Sequence, residues 1–192
     1  MKWIVFDYGN VISLHQSRAD NHAIAELAGA DPESFEQAYW EHRLDFDRGD
    51  LTAPQYWKLV LGRPVDEEEN ARLVELDAES WSRPNEGTLA IMRELQDRGV
   101  PLGLLSNAPA ELAEAWDRLP WISALDRRFY SAHLGLVKPD RAIYDHLADE
   151  LGTREIVFID DRLENVEGAE KAGLTGVHFL GAAELRESLS LM

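Results

Sequence analysis

Short apolar runs alternate with longer amphipathic stretches along most of the chain. Four runs rich in aliphatic and β-branched residues, at 3–6, 101–105, 156–159 and 175–180, predict buried parallel strands. The stretches at 86–98, 109–119, 140–151 and 163–172 place apolar residues at helical spacing, and three of them stop at a glycine. This alternation predicts an α/β fold, a Rossmann-like, doubly wound parallel sheet with helices on both faces.

The segment from about residue 17 to 81 interrupts the alternation, because it shows helical periodicity and turn residues but no strand pattern. We predict helices at 19–28, 32–44, 52–61 and 66–81. An insertion directly after the first strand lies above the carboxyl edge of the sheet, where doubly wound folds bind ligands. The predicted organisation is a core domain from residues 1–14 and 82–192 and a helical cap domain from residues 15–81.

Three of the four predicted strands end in polar residues that can handle phosphate. Asp7 follows the first strand, Ser106 and Asn107 the second, and Asp160 and Asp161 the third. Because the carboxyl ends of parallel strands share one edge of the sheet, these side chains are expected to converge on one crevice. A carboxylate placed as Asp7 is could attack phosphorus, which divides one difficult hydrolysis into two easier steps.

A cation and a lysine complete the predicted site. Three carboxylates in one crevice repel each other unless a cation joins them, and oxygen ligands suit Mg²⁺. Lys138, in a loop fixed by Pro139, offers a positive charge to offset an aspartate and a phosphate together. Each signal by itself has a simpler interpretation: Asp7 as part of a turn, Asp160 and Ser106 as helix caps, and Lys138 as a solvated surface charge.

Taken in order, the segments WIVFDYGNV, LLSNA, GLVKP and FIDDRLEN resemble the four motifs of the haloacid dehalogenase-like superfamily. The resemblance covers nearly the whole chain, including the spacing between motifs and the helical insertion at the C1 cap position. Within the superfamily the chain looks most like bacterial glucose-1-phosphate phosphatases and the N-terminal phosphatase domain of soluble epoxide hydrolases. The resemblance implies a Mg²⁺-dependent phosphatase that hydrolyses a small phosphorylated metabolite, such as a sugar phosphate, through an aspartyl-phosphate intermediate.

The same resemblance implies which residues bind the metal. Asp7 would be both the nucleophile and a Mg²⁺ ligand, and the Gly9 carbonyl and Asp161 would complete the protein ligands. Asp160 and Asn165 would orient Asp161 and the metal-bound waters from behind.

The phosphate-binding residues are implied in the same way. Ser106 and Asn107 would grip the phosphate, and Lys138 would bridge the phosphate and Asp7. Lys138 therefore counts both as a catalytic residue and as a substrate-binding residue.

One position departs from the superfamily pattern. Most phosphatases of this superfamily carry a second aspartate two residues after the nucleophile, as general acid and base, and this chain has Gly9 there. Losing such a group costs on the order of 10² to 10⁴ in rate. One remedy is another residue, such as His15, Asp20 or His22. The other is a leaving group that needs little protonation, so anomeric sugar phosphates and acyl phosphates are expected to react better than simple alkyl phosphates.

Other functions fit the same motifs. A 2-haloacid dehalogenase shares the fold, the nucleophile, the Ser-Asn pair and the lysine, and it also lacks the second aspartate. It uses no metal, so Asp160 and Asp161 favour the phosphatase. A catalytically impaired protein that only binds a phosphorylated ligand is favoured by Gly9 and disfavoured by Asp7 and Lys138. A mutase depends on the missing acid and ranks last.

Composition limits the range of partners. The chain has 36 acidic and 19 basic residues, a formal net charge of -17, which disfavours nucleic acid and anionic membranes as partners. The absence of cysteine fits a reducing compartment. No apolar run approaches the roughly 18 to 20 residues that cross a bilayer. Asp7 interrupts the apolar N-terminal stretch and no signal-peptide cleavage site follows it, so we expect a cytoplasmic monomer or homodimer with a small-molecule substrate.

The tryptophans are assigned to packing. Trp40, Trp57 and Trp81 lie on predicted cap helices and are expected in the core of the cap, with a substrate platform as the alternative. Trp116 and Trp121 flank the end of a core helix and are also expected to pack.

Overall fold

The computed structural model describes residues 2–190, and its centre is one sheet of five parallel strands: β1 (Trp3–Phe6), β2 (Leu102–Ser106), β3 (Arg127–Tyr130), β4 (Ile156–Asp160) and β5 (Thr175–His178). The strand order is β3-β2-β1-β4-β5. The chain runs outward from β1 to β3 and then returns to the other side of β1, so the order reverses between β1 and β4. Such a reversal opens a crevice at the carboxyl ends of the strands, which is where this fold class binds ligands.

Five helices follow β1 and an irregular turn at Tyr8–Ile12: α1 (Arg18–Leu27), α2 (Pro32–Glu41), α3 (Arg43–Arg48), α4 (Ala53–Leu61) and α5 (Glu67–Ser80). These inserted helices share a hydrophobic core of their own, rich in aromatic side chains that include Phe35, Tyr39, Tyr56 and Trp57. A separate core is what an insertion needs in order to keep its shape beside the sheet.

The remaining helices cover both faces of the sheet: α6 (Glu86–Asp97), α7 (Ala110–Trp116), α8 (Ser131–Leu134), α9 (Arg141–Leu151), α10 (Leu163–Lys171) and α11 (Ala182–Ser190). Alternate residues of β1 point to opposite faces, so Ile4 and Phe6 belong to one hydrophobic cluster and Val5 to the other. The predicted doubly wound α/β class is therefore confirmed. Within residues 2–190, none of the helices combines the length and the apolar character that crossing a bilayer demands.

Two details of the prediction were wrong. The sheet has a fifth strand, β3, which the apolar pattern does not reveal, because Arg127 and Arg128 are exposed at the sheet edge and only its last two residues are buried. The helix predicted at 32–44 is two helices that meet at His42, and the second extends to Arg48. This second helix ends at Gly49, whose φ of 86° suits glycine.

Candidate active site

A buried lysine joins two carboxylates at the carboxyl edge of the sheet. Asp7 follows β1 directly, and its Oδ1 accepts a hydrogen bond from Lys138 Nζ at 2.7 Å. The same ammonium donates to Asp160 Oδ2, also at 2.7 Å. Lys138 is 3% exposed and reaches this position from the loop between α8 and α9. The structure thus brings together Asp7 and Lys138, the two residues expected to be catalytic, with Asp160 as the second partner of the lysine.

Burial and charge act in opposite directions on this triad. Burial raises the pKa of Asp7 to about 7, against the attraction of Lys138, and the nearby Asp160 and Asp161 raise it further. Burial alone would lower the pKa of Lys138, but Asp160 and Asp7 together raise it above its usual value. The lysine is therefore a permanent cation, whereas Asp7 needs more positive charge nearby to remain ionised at neutral pH.

Asp160 is the anchor of the lysine. It is the last residue of β4 and is fully buried, and its two oxygens accept hydrogen bonds from Asn165 Nδ2 at 3.0 Å each and from the Arg162 amide at 2.9 Å, besides the bond from Lys138. The sequence suggested that Asp160 and Asn165 orient Asp161. In the structure Asn165 donates to Asp160, and Asp160 accepts from Lys138, so the pair holds the ammonium of Lys138 in place.

Asn10 is a site residue that the sequence reasoning missed. Its Nδ2 donates to Asp161 Oδ2 at 2.8 Å, and its Oδ1 lies 3.0 Å from His15 Nδ1. Asn10 has a φ of 61°, a left-handed conformation that asparagine tolerates better than most residues. The Gly9-Asn10 pair after Asp7 was the available signal, because that turn aims the amide back toward the end of β4.

Asn107, directly after β2, binds the loop that carries Lys138. Asn107 Oδ1 accepts the backbone N–H of Lys138 at 2.9 Å, and its Nδ2 donates to the carbonyl of Lys138 at 3.0 Å. Ser106 is buried beside it, and both residues line the same cavity as Asp7. Asn107 therefore fixes the distance between the β2 loop and the lysine, a role that the sequence did not predict.

The acidic residues fit a divalent cation bound through oxygen. Asp7, Asp160 and Asp161 each offer a carboxylate oxygen within 4.8 Å of the others. Both oxygens of Asp160 already accept hydrogen bonds, whereas Asp7 bonds to Lys138 through Oδ1 and Asp161 to Asn10 through Oδ2, so the ligands best suited to a metal are Asp7 and Asp161. Gly9 also lines the cavity, so its carbonyl oxygen is a third candidate ligand. Hard oxygen donors around a surplus of negative charge suit Mg²⁺.

The inserted helices and the sheet edge enclose a cavity of about 470 Å³. Part of its wall is apolar and includes Trp40, Leu44, Trp81 and Trp116. Trp57 and Trp116 are buried in hydrophobic clusters, as expected, and Trp81 is also buried, although it belongs to the cluster on the sheet and not to the core of the inserted helices. The packing assignment was wrong for Trp40, which is 46% exposed and lines the cavity, because spacing along a helix cannot tell an interior face from one that covers a crevice.

A second charged group on the cavity wall comes from the inserted helices. Arg43 donates from Nε to Asp47 Oδ1 at 2.8 Å and from Nη1 to Asp77 Oδ2 at 3.1 Å, and Nη1 also contacts the Tyr39 hydroxyl. Arg43 and Asp47 line the cavity, whereas Asp77 is fully buried behind them. Burial raises the pKa of Asp47 to about 6, even though Arg43 lowers it. The sequence reasoning did not identify this network.

Comparison with known proteins points to one family. The profile of the haloacid dehalogenase-like hydrolases matches residues 1–173. Among curated proteins, the sesquiterpene phosphatase astK of Aspergillus oryzae is 34% identical over 105 residues, which are 50% of this chain and 50% of that protein. The chain thus spans about half the length of this curated relative.

Solved structures agree on the fold. The HAD family enzyme BT-2542 from Bacteroides thetaiotaomicron, solved as a mutant with magnesium and inorganic phosphate, has a TM-score of 0.72 at 16% identity and covers 93% of both chains. The L-2-haloacid dehalogenase RSc1362 has a TM-score of 0.68 at 19% identity, over 91% of this chain and 84% of that chain. The family profile extends over the Asp7, Lys138 and Asp160 triad and the loop that carries Asp161, and the chain belongs to the haloacid dehalogenase-like hydrolases.

Proposed function

We propose that this hydrolase is a Mg²⁺-dependent phosphatase that cleaves a small organic phosphate monoester with Asp7 as the nucleophile. The observation that carries the proposal is the contact of Lys138 with Asp7 at 2.7 Å, at the floor of a cavity that Asp161 also lines. A carboxylate held by a cation at the end of a buried strand is suited to attack phosphorus. The named phosphatase among its relatives supports the same reaction class.

Each residue of the floor has a task in this reaction. Asp7 attacks phosphorus and forms an aspartyl phosphate, and water then cleaves it. Lys138 offsets the negative charge that builds up on the phosphoryl oxygens, and Asp160 keeps the lysine in position. The Ser106 hydroxyl binds a phosphoryl oxygen, while Asn107 holds the β2 loop against the lysine.

Asp7, the Gly9 carbonyl and Asp161 are the residues that would hold Mg²⁺. When bound, the metal supplies positive charge that favours ionised Asp7 and offsets the charge of the phosphate. Asn10 would keep Asp161 oriented toward that site through its 2.8 Å hydrogen bond.

The inserted helices would act as a cap, as residues 15–81, over the core formed by residues 1–14 and 82–192. They supply Trp40 and Leu44 to the cavity wall, next to Trp81 and Trp116. The indole and aliphatic surface of these residues favours an apolar alcohol as the leaving group over a sugar. The curated relative named for a sesquiterpene substrate is consistent with this choice.

Phosphate release by purified protein tests the proposal. We expect turnover with Mg²⁺, none after EDTA, and recovery when Mg²⁺ is restored. Asp7→Asn should abolish release, and Asp149→Asn, at an exposed position on α9, should leave it unchanged. Equal activity of Asp7→Asn and wild type would reject the mechanism. Release of halide from 2-haloacids that EDTA does not stop would identify a dehalogenase instead.

A further inference from the structure

Given the proposed phosphatase function, the floor of the cavity still lacks a proton donor for the leaving group. The position two residues after Asp7 is Gly9, and a side chain there would meet the indole of Trp81, because a Cβ at Gly9 would lie 3.3 Å from its ring. The space that a donor would occupy next to the nucleophile is therefore taken by an aromatic ring. The donor must come from another part of the cavity wall.

The three donors considered from the sequence do not meet this need. Asp20 forms an ion pair with Arg83, whose hydrogen bonds hold the pKa of Asp20 well below its usual range, so it carries no proton near neutral pH. His15 is exposed and paired with Asn10. His22 is exposed on α1, and neither histidine lines the cavity.

Asp47 is held over the phosphate-binding loop by its backbone. Its carbonyl accepts a hydrogen bond from the Ser131 hydroxyl, and that hydroxyl accepts the N–H of Ala108 at 2.9 Å. Ala108 directly follows Ser106 and Asn107, so one serine ties α3 to the loop that would bind phosphate. Close approach reinforces the tie, since a Cβ at Gly49 would lie 2.9 Å from the Ala132 carbonyl. Asp47 thus has a fixed place on the wall of the cavity that Asp7 also lines.

Arg43 orients the side chain of Asp47, and the pKa of this carboxyl lies close to neutral pH. Arg43 fixes Oδ1 at 2.8 Å, and burial raises the pKa of Asp47 to about 6. Three charged groups act on the Asp47 carboxyl, namely Arg43, Asp77 and Lys138. The hydroxyls of Tyr39 and Tyr56, which pack around Arg43, stay neutral because burial raises their pKa values. A carboxyl that titrates near neutral pH can both give and take a proton.

We propose that Asp47 is the general acid and base of the reaction. When an Asp7 oxygen bonds to phosphorus and the bond from phosphorus to the ester oxygen breaks, the electron pair stays on the ester oxygen, which takes the proton of Asp47 and leaves as the alcohol. Asp47, now a carboxylate, then takes a proton from the water that attacks the aspartyl phosphate. The bond between phosphorus and Asp7 breaks, its electron pair returns to Asp7, and inorganic phosphate is released.

Two substrates of similar shape separate this role from a structural one. The leaving group of 4-nitrophenyl phosphate is a weakly basic phenolate, whereas that of 4-nitrobenzyl phosphate is a strongly basic alkoxide that depends on protonation. We expect Asp47→Asn to lower kcat/KM for the nitrobenzyl ester on the order of 10²-fold or more, and for the nitrophenyl ester by less than about tenfold. Asp45→Asn is the matched control, because Asp45 lies on the same helix but is exposed and does not line the cavity, and it should leave both rates unchanged.

The wild-type enzyme provides a test that does not depend on how the variant folds. The ratio of the nitrobenzyl rate to the nitrophenyl rate should fall as the pH rises through about 6, as Asp47 loses its proton. A ratio that does not change with pH, or equal losses on both esters in Asp47→Asn, would overturn the role of Asp47 while leaving the phosphatase intact. Absence of Asp7-dependent phosphate release from wild type would remove the proposed function and this role together.

Discussion

The floor of the cavity and the helices above it use the same arrangement of charges. In the floor, Lys138 lies between Asp7 and Asp160, and in the inserted helices Arg43 lies between Asp47 and Asp77. In each case one carboxylate lines the cavity and the other is fully buried. A buried cation that is anchored by one acid can hold a second acid in a reactive orientation without leaving a charge unpaired.

The two arrangements differ in what the cation can reach. The ammonium of Lys138 is a compact charge on a flexible stem, and it lies directly between Asp7 and Asp160. The guanidinium of Arg43 is planar, and it donates hydrogen bonds to Asp47, Asp77 and the Tyr39 hydroxyl. The first arrangement suits contact with a phosphoryl group, and the second suits the orientation of a proton donor.

The largest effect should follow removal of the floor cation. Lys138→Ala leaves Asp7 and Asp160 facing each other without compensation, so we expect kcat/KM for 4-nitrophenyl phosphate to fall on the order of 10³-fold or more at saturating Mg²⁺. Lys171→Ala, at an exposed position on α10, is the control and should behave as wild type. A loss of less than about tenfold in a folded Lys138→Ala protein would place the lysine outside the reaction.

An intermediate effect should separate the two buried anchors. Asp160→Asn weakens the hold on Lys138, and we expect kcat to fall about 10- to 100-fold with only a modest loss of melting temperature. Asp77→Asn weakens the hold on Arg43 and Tyr39 within the inserted helices, so it should lower the melting temperature more than it lowers kcat for the nitrophenyl ester. Steady-state kinetics and thermal melts of both variants test these expectations. A larger loss of melting temperature in Asp160→Asn, or a larger loss of kcat in Asp77→Asn, would contradict them.

The smallest effect should come from the apolar wall. Trp40→Ala removes an exposed indole from the cavity, so we expect KM for a terpenyl monophosphate to rise about tenfold, while KM for 4-nitrophenyl phosphate changes by less than about twofold. Leu59→Ala, on α4 and outside the cavity wall, is the matched control for an exposed apolar residue. If glucose 1-phosphate were a better substrate than the terpenyl ester and equally sensitive to Trp40→Ala, the wall would serve a sugar.

The sequence predicted the floor better than the helices above it, and the reason is geometric. In a parallel sheet every strand ends at the same edge, so Asp7, Ser106 and Asp160 could be placed together from strand patterns alone. The strand β3 was not predicted because an edge strand with two exposed arginines has no continuous apolar run. Lys138 was identified without that strand, since its motif is local.

No comparable rule predicts which residues of the inserted helices line the cavity. Arg43 and Asp47 are four residues apart on α3, a spacing that also describes an ordinary surface ion pair. Their burial depends on how α3 docks against Ser131 and Ala108 of the core. Trp40 faces the cavity for the same reason, so its packing direction follows from the contact between the two parts of the chain and not from its own helix.

The central claim is that Asp7 becomes phosphorylated, and peptide mapping tests it directly. Asp7 is the only acidic residue in the tryptic peptide 3–18, whereas Asp160 and Asp161 lie together in the peptide 155–162. Enzyme quenched in acid during turnover and reduced with borohydride should carry the modification of an acyl phosphate on peptide 3–18. Modification of a different peptide, or continued turnover with peptide 3–18 never modified, would contradict the account.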